Sequence, residues 1–93
     1  MQLARFLNNV FKKDGFILVD ANSKSYIIGN PKSENPIKVK ILNKNLHYKL
    51  LFHPDLYFGE AYTDGEITIE NGTLTDFLDL SLMNFGRGDL NFF

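Results

Sequence analysis

Carboxylates crowd one short stretch of this chain: Asp55, Glu60, Asp64 and Glu66 all lie between positions 55 and 66. Glu60 and Asp64 are four apart, so a helix sets them on one face, where paired carboxylates do acid–base work or hold a hard cation. Calcium wants six or more oxygen ligands and the EF-hand spacing is missing, so cation binding ranks behind a structural role. In that role Asp55 caps a helix, Asp64 sets a turn with Gly65, and Glu60 is buried against backbone amides or Tyr62. His47 and His53 are six apart, a poor spacing for shared ligation on one helix face. With no third ligand near, a core or capping role is expected of both. The chain has no Cys, hence no thiolate nucleophile, thiolate metal site or disulfide. A phosphate-cradling loop needs glycines between a strand and a helix. Here the only G-x-G is Gly86-Arg87-Gly88, which follows a helix and lacks the third glycine. No cofactor, metal or catalytic site is expected in these residues.

The elements that place these groups are readable from periodicity. Leu3, Phe6, Leu7, Val10 and Phe11 make an apolar helical stripe, with Gln2, Arg5, Asn8, Asn9, Lys12 and Lys13 on the other side and Gly15 as a candidate C-cap. The stripe reads as core. Its alternative is an interfacial helix whose aromatics enter a bilayer while Arg5, Lys12 and Lys13 contact phosphates. Gly15 to Val19 and Ser25 to Ile28 form a hairpin about the turn formers Asp20-Ala21-Asn22-Ser23. Ile37 to Ile41 alternates as a half-buried strand. Asn45 is the candidate cap of a helix carrying Leu46, Lys49, Leu50 and Phe52, and Pro54 starts another that runs to Tyr62 and closes at Asp64-Gly65. Within it Gly59 suggests a close backbone approach. Ile67 to Glu70 is a fourth strand. After Asn71-Gly72, Thr73 and Asp76 form a capping pair for a last helix with Leu74, Phe77, Leu78, Ser81 and Leu82. The fold class is α+β: a small antiparallel sheet of about four strands packed with about four helices.

Ninety-three residues suit one small domain, and 44% apolar content with nine Phe and four Tyr can fill its core. No apolar run approaches the roughly 18 residues that span a bilayer, and Met1 to Arg5 lacks a secretory signal pattern. The net charge of −1 hides a polarity. Residues 1–46 hold eight basic against three acidic residues, and residues 47–93 two against eight. A basic face toward anionic lipid is one reading; attraction between the two halves in the fold is the other. Nucleic acid is not an expected partner, because the lysines lack interleaved exposed aromatics and the protein is slightly acidic.

The run Leu56-Tyr57-Phe58-Gly59-Glu60-Ala61-Tyr62-Thr63-Asp64-Gly65-Glu66-Ile67 resembles the G-E-(A/S)-Y-x-D-G block in the N-terminal region of cyclopropane-fatty-acyl-phospholipid synthases. Phe52, Pro54, Asp55, Leu56 and Phe58 also fall where that family's longer pattern, (L/F)-x-P-(D/E)-L-x-(F/L)-G-E-x-Y-x-D-G, places them. The likeness is loose from about Phe6 and tight from Phe52 to Ile67, and it fades by Phe85. Such enzymes use S-adenosylmethionine to add a methylene bridge to an unsaturated phospholipid acyl chain.

The resemblance implies an N-terminal, non-catalytic domain over 1–85 with a sterol-carrier-like fold. Residues 86–93 would be a linker toward a catalytic domain that these residues do not include. It further implies that S-adenosylmethionine binds in that later domain of the parent, not here. The family's H-Y-D-x-(G/S)-N-x-(F/L)-Y segment and donor-binding glycines have no match, so no catalytic residue carries over. Gly59, Glu60, Tyr62, Asp64 and Gly65 would form the surface or hinge that seats the domain on the catalytic one near the lipid entrance. Implied partners are that C-terminal catalytic domain, a phospholipid membrane surface touched peripherally, and a second copy in a dimeric bacterial parent. The implied location is cytoplasmic, at the inner membrane face. The alternative is a free-standing lipid- or protein-binding module.

Overall fold

A computed structural model of the chain describes residues 2–52 and 54–84, with the side chains of 54–56 also outside the description. Four helices and four strands follow in the order α1 (Gln2–Val10), β1 (Gly15–Val19), β2 (Ser25–Gly29), β3 (Lys38–Ile41), α2 (Leu46–Phe52), α3 (Pro54–Thr63), β4 (Ile67–Glu70) and α4 (Leu74–Asn84). The fold is α+β. Phe85 and residues 86–93, where a linker is expected, lie outside the described residues.

One sheet runs β2-β1-β3-β4. β1 pairs antiparallel with β2, and β3 antiparallel with β4, but the central pair β1–β3 is parallel. The sheet is therefore mixed, which corrects the antiparallel expectation. The reason is topological: the chain leaving β2 passes the end of β1 and starts β3 beside it, with the Ile17 N–H donating to Ile37 O at 2.8 Å. Residues 17 to 19 and 38 to 40 then run side by side.

Strand alternation sends Phe16, Leu18, Ile28, Val39, Ile41 and Ile67 to one face, all nearly fully buried. The helices close that face with Leu3, Leu46, Leu50, Phe58, Phe77 and Leu80, joined by Phe11 just past the end of α1. A string of rings ties four segments together. Phe11 meets Phe16 edge-on at 5.0 Å, Phe16 meets Phe77 the same way at 5.0 Å, and Phe77 stacks on Phe58 at 5.2 Å. Each such contact adds about 0.5–1.5 kcal/mol beyond area burial. The stripe of α1 belongs to this core: Leu3 and Phe11 are buried, and Phe6, Leu7 and Val10 pack against it. The interfacial-helix alternative, with those aromatics in a bilayer, is thereby corrected.

Local chemistry explains most boundaries. Asp20 accepts the N–H groups of Asn22 and Lys24, both at 2.9 Å, and so holds the β1–β2 turn. Thr73 and Asp76 form the reciprocal capping pair at the start of α4, at 2.9 and 3.1 Å. Two other expectations move. Asn43, rather than Asn45, supplies the side-chain acceptor before α2, taking the Asn45 N–H at 3.0 Å. At the end of α1 the positive φ falls on Asp14 (60°), while Gly15 opens β1, where a Cβ would sit 2.0 Å from Ile28 O. Gly15 is thus required by close approach to β2 and not as a helix cap.

Candidate functional site

The family-like block folds as one unit, α3 followed by a tight stop and β4. Gly65, at φ +78°, is in the left-handed region. Its N–H donates to Tyr62 O at 3.2 Å, and the Glu66 N–H donates to Ala61 O at 2.8 Å. That pair of bonds is a Schellman cap with glycine at C′, the position where a Cβ would be strained. Ala61 and Phe58 point into the core. These members of the block, with Gly65, have a folding role.

The others do not. Gly59, Glu60 and Asp64 are exposed, and Tyr62 is 38% exposed. A Cβ built on Gly59 meets nothing within 4 Å, which corrects the expectation of close backbone approach there. Glu60 is not buried against amides or against Tyr62; it shares a shallow surface with Gly59, Thr63 and Asp64. The helix stops at Thr63, so Asp64 stands just beyond it. The structure thus brings Gly59, Glu60 and Asp64 to one solvent-facing patch, with Gly65 as the turn that ends it. Among the described residues no cluster of three or more His, Cys, Asp or Glu side chains could hold a metal ion.

His47 lies in α2 and its Nε2 accepts the Ala21 N–H at 3.4 Å, joining that helix to the β1–β2 turn. His53 lies outside the described residues, as do the Asp55 side chain and its capping role. Asp20 is the buried acid that motif reading passed over. Burial raises its pKa. The N–H groups of Lys24 and Asn22 and the Tyr26 hydroxyl at 3.2 Å outweigh that and hold the carboxyl below its ordinary value. The arrangement is a satisfied structural knot.

The basic residues separate. Arg5 is exposed on α1, whereas Lys12 and Lys13 lie past its end. Their N–H groups do not continue the helix; both donate to Asn84 Oδ1, at 2.8 and 2.7 Å. The three cations therefore do not share one helix face. β1 and β4 run in opposite directions, so Lys12 and Lys13, which lead into β1, and Asp64 and Gly65, which lead into β4, stand at opposite ends of the sheet.

Within the core, Leu3, Leu7, Phe11, Phe16, Phe58 and Phe77 line an apolar cavity of about 60 Å³. Ligand pockets typically measure ~300–1,000 Å³, so the described core has no room for a long acyl chain. No helix among the described residues is long and apolar enough to cross a membrane. No family model, no curated protein and no solved structure matches this chain.

Proposed function

We propose that this chain is the N-terminal, non-catalytic domain of a cyclopropane-fatty-acyl-phospholipid synthase-like methyltransferase, which presents acyl lipid at the inner membrane face to a catalytic domain. The observation that carries the reading is the division of labour inside the Phe52 to Ile67 block. Phe58, Ala61 and Gly65 build the fold, while Gly59, Glu60 and Asp64 are spent on an exposed patch that the fold does not use. An exposed helical glycine costs about 1 kcal/mol relative to Ala. Together with two acids on the same surface it fits a seat for another domain. S-adenosylmethionine belongs to that other domain in this reading.

The small core cavity favours lipid contact at the surface over engulfment of an acyl chain. A titration against phosphatidylglycerol vesicles and against phosphatidylcholine vesicles tests the lipid half of the proposal. Saturable, salt-sensitive binding to the anionic vesicles is expected. A chain that ignores both kinds at low salt is not a lipid-positioning domain.

A further inference from the structure

Lys12 and Lys13, adjacent in the chain, meet the distant Lys32 at one end of the sheet. Asn84 of α4 clamps the Lys12–Lys13 backbone: its Oδ1 takes both N–H groups and its Nδ2 donates to Lys13 O at 2.9 Å. The next residue, Asp14, reaches across and accepts the Lys32 N–H at 3.0 Å, while its backbone carbonyl accepts the Asn30 N–H at 3.1 Å. All three lysine side chains are exposed, and among the described residues none of them forms an ion pair. The nearest acid, Asp14, has its Oδ1 committed to the N–H groups of Gly15 and Lys32. Glu34 follows two residues beyond Lys32. Leu82 and Met83, in the same helical turn as Asn84, are 48% and 54% exposed. Asp79 stands one turn behind them.

We propose that this corner is the face the domain lays on an anionic phospholipid surface, an assignment that rests on the lipid-positioning reading above. Three exposed lysines gathered at one corner, with no ion-pair partner among the described residues, match the charge of a phosphate-lined surface. Fixing the lysine backbones through Asn84 and Asp14 orders the charges in advance. Arg5 lies outside the corner, on α1, at least ~8 Å along the axis from its end. The corner also lies opposite the Asp64–Gly65 end, which leaves the exposed acidic patch free for a second domain.

Each lysine near an anionic surface is worth roughly fivefold in partitioning. Vesicles of equal parts phosphatidylglycerol and phosphatidylcholine provide the test, by co-sedimentation at low salt. Reversing Lys12, Lys13 and Lys32 to Glu should weaken binding by at least about a hundredfold and leave the melting temperature nearly unchanged. Reversing Lys24, Lys44 and Lys49 makes the same change in net charge elsewhere and should weaken it far less. Equal binding by the corner variant and the unaltered chain overturns the assignment, and so does an equal loss in the two variants. Failure of the unaltered chain to bind at all instead overturns the lipid reading beneath it.

Discussion

Asn8 of α1 acts as a piece of strand for β2. Its Oδ1 accepts the Gly29 N–H at 2.8 Å and its Nδ2 donates to Ile27 O at 3.3 Å. The pairing of Phe16 with Ile28 and Leu18 with Tyr26 turns the polar groups of Ile27 and Gly29 outward, to the free edge of the sheet. One carboxamide thus satisfies a donor and an acceptor that otherwise invite another strand. Asn9, its neighbour, is exposed on the same helix and makes a matched control. Asn8→Asp keeps the acceptor but removes the donor, and it sets a carboxylate oxygen against Ile27 O. It should cost about 1 kcal/mol more than Asn9→Asp in a denaturant titration. Equal costs would mean that water serves the edge as well as Asn8 does.

Asp20 sets the acid limit of the fold. Its folded pKa is depressed, so its carboxylate contributes stability fully above the unfolded value, near 4 for Asp, and loses that contribution as pH falls through the lower folded value. Asp20→Asn keeps an oxygen for the Asn22 and Lys24 N–H groups but removes the charge. At neutral pH it should be about 1–2 kcal/mol less stable than the unaltered chain, the difference between charged and neutral hydrogen bonds. The gap should close as the pH drops below 4. Glu70, held low by its hydrogen bond from Lys40 at 2.7 Å, has the same sign in both proteins and cancels in the comparison. A gap that stays constant into strong acid would place the effect in packing.

Local signals carried the reading of the elements. The Thr73–Asp76 pair, the Asp20 turn and the α1 stripe each involve residues within one or two turns, where spacing and geometry are nearly the same thing. The parallel β1–β3 pairing was hidden because it depends on which side of β1 the loop after β2 passes, and alternation is blind to neighbours. The end of α1 was hidden for a related reason. Lys12 and Lys13 continue a helical pattern, but Asn84, more than seventy residues away, takes their N–H groups. In the family-like block, spacing alone could not tell the folding glycine, Gly65, from the exposed one, Gly59.

That distinction is measurable. Gly59 is helical, exposed and uncrowded, with nothing within 4 Å of a Cβ. Gly59→Ala should stabilise the chain by about 0.5–1 kcal/mol through helix propensity, raising the melting temperature by roughly 2–8 °C. Gly65→Ala, at φ +78°, should lower stability by about 1 kcal/mol instead. If Gly59→Ala destabilises the isolated chain, the glycine serves the fold after all, and the exposed patch loses its strongest argument as a seat for another domain.

Asn84 gives the last prediction, because three of its four hydrogen bonds join segments distant in sequence. Besides its three contacts with Lys12 and Lys13, its Nδ2 donates to Leu80 O at 2.9 Å, which holds the side chain against α4. Asn84→Ala leaves the Lys12 and Lys13 N–H groups to water and should cost about 1–3 kcal/mol. The more telling readout is local. Amide hydrogen exchange at Lys12 and Lys13 should accelerate well beyond the change at Phe11, whose N–H is bonded to Leu7 O within the α1 turn. Asn84→Asp keeps the oxygen that accepts both amides but loses the donors, so those two amides should stay protected while stability falls. If exchange at Lys12 and Lys13 rises only in step with global unfolding, Asn84 packs the end of α4 without ordering the lysines, and the basic corner is not preset for a charged surface.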